Sequence, residues 1–328
     1  MKITMAHGSG GKVSSELIES IFSKYFGNDT LDKMEDSASV PGNKRLAVTT
    51  DSFVVTPIFF PGGDIGHLSI CGTVNDLLMI GAVPKYLTCG FILEEGLDIN
   101  ELEKISVSMA RTADEAGVKI IAGDTKVIEG KGGIYINTTG IGFLADDINI
   151  SASNCSKGDV IILSGNLGDH HAAIMSSRMG IENQIQSDCA PLCEMIKSLL
   201  DKGINVKAMR DVTRGGLATV LNEFARSSKT AIELDESSIP VSEQVKGFCG
   251  ILGLDPLYMG NEGKMVAVVS KEDAQKALNC IKNSRYGENA AIIGRVCEKN
   301  NPILLLKTHI GGTRIISELY GEGLPRIC

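Results

Sequence analysis

Residues 46–80 read LAVTTDSFVVTPIFFPGGDIGHLSICGTVNDLLMI, and two different periods meet within them. Leu46 to Thr56 is a run of β-branched residues interrupted by Asp51, which predicts a strand. Ile65 to Ile80 lets Ile65, Leu68, Val74, Leu77 and Leu78 share one buried side, which predicts a helix. Beyond it, Tyr86 to Leu93 reads as a second strand and Asn100 to Ala116 as a charged amphipathic helix ended by Gly117. Val118 to Ala122 and Gly133 to Leu144 read as two more strands around a Gly-rich turn. Residues 1–45, before the quoted stretch, are Gly-rich and polar around one amphipathic helix, Ser14 to Tyr25. The order strand-helix-strand-helix-strand-strand predicts an α+β sandwich with helices on one face.

From Ser151 to Gly158 the texture turns small and polar, which places a domain boundary at 155/156. A second α+β unit follows, opening with a strand at Asp159 to Leu163. Helices are expected near 172–179, 192–201, 215–227, 241–252 and 271–283, and strands near 231–234, 264–269, 290–297 and 303–307. The expected division is therefore 1–45, 46–155, 156–312 and a mobile tail, 313–328, that carries Gly321, Gly323 and Pro325.

Composition narrows the function. Net charge is −8, which argues against a binder of nucleic-acid backbones. Aromatics are 5% with no Trp, whereas Gly reaches 37 residues, a mix that favours sites lined by backbone over stacking platforms. No stretch approaches the ~20 apolar residues of a membrane span. The N-terminus turns polar at once, unlike a signal peptide, so a soluble cytoplasmic protein is expected. The nine Cys contain no Cys-x-x-Cys, so spacing lends zinc no support and most read as small core residues. Cys328 differs because it is the last residue of the chain.

An Asp recurs where regular elements meet turns: Asp36, Asp51, Asp76, Asp124, Asp169 and Asp211. Caps and turns account for many such residues. Asp51 and Asp76, however, interrupt a strand and an apolar helix, where an unpaired carboxylate is costly. Carboxylates beside Gly-rich turns suit Mg²⁺ bound together with nucleotide phosphates. Donor-rich backbone for those phosphates is present in His7-Gly8-Ser9-Gly10-Gly11-Lys12, yet Val13 stands where a Walker A loop needs Ser or Thr. Gly260 to Lys264 fails in the same way at Met265. Arg214 and Gly215-Gly216 open a helix whose amides can meet an anion, and Phe59 to Gly66 offers an apolar shelf for adenine. Lys126 and Glu262, both read as lying in Gly-containing turns with space beside them, are the acid–base candidates. His170-His171 read as structural or phosphate-contacting.

Thr49 to Ser52, Gly72 to Leu77 with Gly81 to Pro84, Gly123 to Val127 and Arg210 to Gly216 together resemble the superfamily of aminoimidazole ribonucleotide synthetase and selenophosphate synthetase. His7 to Gly11, Phe60 to Gly66, Asn261 to Lys264 and the terminal Pro325-Arg326-Ile327-Cys328 narrow the resemblance to the HypE family of nickel–iron hydrogenase maturation factors. The resemblance implies two α/β-layered domains and a homodimer whose N-terminal sheets pair into a barrel. It further implies ATP contacts at Gly10, Gly11, Lys12, Asp64, Asn75, Asp124, Arg214, Gly215 and Asn261. Mg²⁺ ligands are expected among Asp36, Asp51, Asp76, Asp124 and Asp211.

The activity implied is ATP-dependent dehydration of a carbamoyl group on Cys328, placed there by the carbamoyltransferase HypF, to a thiocyanate. Its cyanide passes to iron held by HypC–HypD. Glu262 or Lys126 would take the proton from the amide nitrogen. Two other readings differ in class. Selenophosphate synthetase would need a reactive Cys near its N-terminus, and residues 1–70 contain none. A non-enzymatic metallochaperone would use Cys328 with His170-His171.

Overall fold

The structure is a computed structural model that describes residues 1–9, 11–34, 37–298 and 301–318. The first domain holds β1 (Leu46–Phe53), β2 (Val83–Glu94), β3 (Lys119–Ile128) and β4 (Ile134–Phe143) in the order β1-β4-β2-β3. β2 and β3 run parallel and the other two pairs antiparallel. The expected strand at 118–122 is longer than its sequence suggests. Gly123-Asp124-Thr125-Lys126 continues β3 instead of turning, with Gly123 opposite Cys89. A Cβ at Gly123 would stand 2.7 Å from the Cys89 carbonyl oxygen, so this glycine permits close strand approach and does not mark a turn.

α1 (Gly11–Leu17) continues through one π-type turn to Phe26, and Phe22 stacks on Phe91 of β2 at 4.8 Å. α2 (Ile65–Met79) starts where the Asp64 carboxylate accepts the amides of Gly66 and His67 at 2.8 and 3.0 Å. It is buried on nearly every side because sheet, second domain and α3 (Ile99–Ala116) all cover it. Gly117, at φ 68°, ends α3 as expected. The face of the sheet turned away from these helices leaves Leu46, Val48, Val83 and Ile92 exposed.

The second domain contributes β5 (Val160–Leu163), β6 (Val206–Asp211), β7 (Ala231–Asp235), β8 (Met265–Val269), β9 (Ala291–Cys297), β10 (Ile303–Lys307) and β11 (Thr313–Ile315). Their order is β11-β10-β7-β9-β5-β8-β6, antiparallel except for β10 on β7. Its helices are α4 (Asp169–Met179), α5 (Cys193–Asp201), α6 (Gly216–Ser228), α7 (Glu243–Leu252) and α8 (Ala274–Lys282). β8 is buried throughout. Met265, Ala267 and Val269 face a core continuous with the first domain, while Val266 and Val268 face the core under α6.

Two expectations change here. β6, unread in the sequence, forms an edge of the second sheet. The tail expected from 313 starts instead with β11 on β10, and Ile316 is buried. Asn222 Nδ2 then donates to the Ile316 carbonyl at 3.0 Å, Tyr258 Oη donates to the Ser317 carbonyl at 2.9 Å, and Arg226 pairs with Glu318. Cys328, Gly10 and Asp36 lie outside the described residues. Among the described residues, no helix is long and apolar enough to cross a membrane.

Candidate active site

A cleft of about 590 Å³ opens between the domains, lined by Asp51, Ser52, Asp76, Arg178, Asp211, Thr213, Arg214 and Glu262 among others. Asp51 comes from β1, Asp76 from the last turn of α2, Asp211 from the end of β6 and Arg178 from the last turn of α4. Arg214 sits in the turn before α6, and Glu262 in the turn before β8. Asp76 accepts a 2.7 Å hydrogen bond from Thr49 Oγ1, and Arg178 Nε donates to the Thr56 carbonyl at 2.6 Å.

These carboxyls repel one another with little water between them. Burial, then Asp76, pushes Asp51 up to about 6. Burial, then Asp76, pushes Asp211 up to about 7, with Asp51 adding a smaller push. Burial raises Glu262 well above the usual carboxylate range, reinforced by Asp211, Asp188 and Asp51 and opposed by Arg214. Such a set is short of positive charge, and a divalent cation with a triphosphate fits the deficit.

The turn bearing Glu262 and the segment beside it are held by side chains that bond to backbone groups. Asp188 Oδ1 accepts the Glu262 amide at 3.2 Å, and Asn75 Nδ2 donates to the Ala190 carbonyl at 3.0 Å. Leu192 donates its amide to Asn75 Oδ1 at 2.9 Å. Asn261 is fully buried, accepting from the Gly168 amide at 2.8 Å and donating to the Val212 and Met259 carbonyls at 3.1 Å each. In this structure the side chains of Asn75 and Asn261, both expected to contact the cofactor, are taken up by these backbone partners. Nor does Gly263 leave room for a substrate: a Cβ there would collide with the Asp188 carbonyl. Lys264 Nζ lies 3.6 Å from Asp188 in the same buried layer.

A second cavity of about 550 Å³ lies under α1, lined by His7, Gly8, Ser9, Phe22, Phe26, Phe91, Asp124 and Lys126 among others. Lys126 Nζ is 3.5 Å from Asp124. Within one chain, then, Lys126 and Glu262 stand in different cavities, and Asp124 is apart from Asp51, Asp76 and Asp211. Gly11 begins α1, and Lys12 pairs with Glu16 at 3.6 Å on the surface. Asp64 is occupied as the α2 cap. Gly215, at φ 78°, precedes α6, beside Arg214 in the cleft wall. The adenine shelf expected at 59–66 is closed, for Phe60 is buried edge-on against His170 at 5.5 Å. His170 and His171 are buried helix residues held down to about 4 by that burial, and His170 Nδ1 lies 2.7 Å from Ser187 Oγ.

Sequence reasoning missed Arg178 and Asp188. A basic residue in a last helical turn reads as a dipole partner, and Asp188 lies in a stretch without regular structure, so neither carried a signal.

Two sheets with helices packed between them, and a carboxylate cleft at their seam, define a class. Residues 34–144 match the N-terminal domain, and residues 156–307 the C-terminal domain, of the AIR synthase related proteins. The fold is shared with thiamine-monophosphate kinase from Stenotrophomonas maltophilia, at 21% identity and a TM-score of 0.68 over 89% of this chain and 95% of that one. Within that class the likeness is closer to one group. The chain is 45% identical to the carbamoyl dehydratase HypE of Cupriavidus necator, over 100% of this chain and 95% of that protein. It is 44% identical to that of Escherichia coli, over 99% of each. A crystal structure of HypE in complex with ATP has a TM-score of 0.95 at 43% identity, covering 99% of both chains. The chain belongs to the HypE family, the carbamoyl dehydratases of hydrogenase maturation.

Proposed function

We propose that the chain uses ATP to dehydrate a carbamoyl group carried on its own Cys328 sulfur, yielding a thiocyanate whose carbon and nitrogen become a cyanide ligand of hydrogenase iron. The observation that carries this reading is the buried Glu262 carboxyl beside Asp51, Asp76 and Asp211 in one cleft. The HypE relative solved with ATP supports ATP as the phosphoryl donor.

The carbamoyl oxygen is a poor leaving group until it takes the γ-phosphate of ATP, releasing ADP. With loss of one N–H proton this leaves S–C(=NH)–O–phosphate, and loss of the second N–H proton lets the nitrogen lone pair complete the C≡N bond as phosphate departs. In its ionised form Glu262 takes that second proton, which burial and then Asp211, Asp188 and Asp51 help it hold. Lys126 is the alternative acceptor, approached from the second cavity. Arg214 faces the phosphates from the turn before α6. Asp51, Asp76 and Asp211 would hold Mg²⁺, which when bound neutralises charge on the triphosphate. Closure around the tail would keep water from the carbamoyl adduct.

Association into a homodimer through the first sheet is part of this reading, supported by Leu46, Val48, Val83 and Ile92 exposed on one sheet face. A HypE–HypF complex, whose HypE chain is 46% identical to this one with a TM-score of 0.81, supports HypF as the carbamoyl donor's enzyme. HypC–HypD is the proposed acceptor.

Intact-mass spectrometry after incubation with HypF, carbamoyl phosphate and Mg-ATP tests the mechanism. The wild-type chain should gain one carbamoyl group and then lose one water. Cys328→Ala should show neither change while still folding and binding Mg-ATP. An undiminished adduct in that variant would overturn the proposal.

A further inference from the structure

Behind the carboxylate cleft, soft ligands from two distant parts of the chain meet. His67 and Cys71 are one turn apart on α2, and Cys189 comes from the segment between α4 and α5. One ligand atom from each lies within 4.8 Å of the other two. Both thiols are buried and unbridged. His67 Nδ1 lies 2.7 Å from Thr112 Oγ1, its Nε2 lies 2.8 Å from the Cys189 carbonyl oxygen, and Cys71 Sγ is 3.7 Å from Nε2.

We propose that His67, Cys71 and Cys189 bind a thiophilic divalent cation of the Zn²⁺ class, which staples the domain seam behind Glu262. Two thiolates and an imidazole are a donor set such ions prefer. A tetrahedral ion holds ligands about 3.5–3.8 Å apart, a contraction of about 1.3 Å at most from the 4.8 Å spacing seen. Thr112 already holds Nδ1 and so fixes the ring, as outer partners of metal-bound histidines do, leaving Nε2 to exchange the carbonyl for the ion. Burial pushes both thiols up, and, against burial, hydrogen bonding to Cys189 holds His67 up at about 9; a bound cation reverses all three by taking the sulfurs as thiolates and Nε2 as neutral imidazole, releasing their protons to solvent.

The position gives the ion a task. His67, Cys71 and Asn75 form one stripe of α2, and Asn75 already binds Ala190 and Leu192 on the segment whose Asp188 holds the Glu262 amide. The ion would fasten that segment at Cys189. The inference does not rest on the dehydratase reading, because its test reads metal and not turnover.

Reduced, chelator-treated wild-type chain should take up one equivalent of Zn²⁺. With Co²⁺ as the probe it should show the intense visible bands of a tetrahedral site and thiolate charge transfer. Cys71→Ser and Cys189→Ser should each lose the equivalent, and Thr112→Val should weaken it about 10- to 100-fold. Cys328→Ala and Asp76→Asn should retain it. The Co²⁺ spectrum decides even where a serine variant fails to fold. No uptake, a pale octahedral spectrum, loss of the metal in Cys328→Ala, or full retention in folded Cys71→Ser would each overturn the site.

Discussion

In the cleft between the domains, Asp51, Asp211 and Glu262 are pressed together away from water and hold their protons above the usual range. In the cavity under α1, Asp124 and Lys126 pair with side chains 71% and 67% exposed. Solvent screens the second pair, so its net worth is within about 1 kcal/mol. The first set is relieved by Arg214 and by holding protons, and a bound cation would favour its ionised form. The same residue types therefore act as a poised site in one place and as surface charge in the other.

The sharpest test of this contrast is Asp76→Asn. It removes the charge that raises both neighbours, so Mg-ATP turnover should fall below detection while the melting temperature holds or rises. Wild-type turnover would take Asp76 out of the site.

Glu262→Gln should come next, slowing single-turnover dehydration by about 10²- to 10⁴-fold with ATP affinity within tenfold of wild type. Equal losses of affinity and rate would make Glu262 a nucleotide ligand instead.

Acidity provides a milder test. Asp51 and Asp211 have folded values of about 6 and about 7 against 3.8 in ordinary surroundings. The folded chain thus holds protons that the unfolded chain has released, so ligand-free stability is greatest below about pH 4 on this account and falls up to about pH 7. Added Mg²⁺ should raise the melting temperature more at the upper end of that window than at the lower. A flat profile by scanning fluorimetry would break the electrostatic half of the comparison.

Lys126→Ala should have the smallest effect, changing stability by less than about 1 kcal/mol. Its dehydration rate should fall less than that of Glu262→Gln. A loss as large would place Lys126 at the substrate and erase the distinction between the two cavities.

How far the sequence carries such a reading depends on what each residue signals locally. Asp51 and Asp76 stand out because they break apolar strand and helix patterns, and the structure brings them together in the cleft with Asp211, Arg214 and Glu262. Asp124 and Lys126 look alike in sequence but belong to the other cavity, since Gly123 allows strand contact instead of making a turn. Asn75 and Asn261 carry motif signals but face inward. β6 has Val206 as its only β-branched residue, and β11 is short and preceded by Gly311-Gly312, so period alone finds neither. His67, Cys71 and Cys189 are invisible to spacing because one ligand crosses from the other domain.

The anchoring of Ile316–Glu318 on α6 and Tyr258 fixes where the last part of the chain begins. Ten residues, 319–328, follow Glu318. Covalent geometry limits them to a reach of about 35 Å, so the terminal thiol is confined at an effective concentration on the order of 10 mM. If Cys328 carries the substrate as proposed, a group leashed at that concentration needs almost no affinity of its own for the cleft. The site is therefore free to spend its contacts on geometry and on ATP. Removing a residue from the leash shortens its reach by about 3.5 Å, whereas adding one dilutes the thiol only modestly.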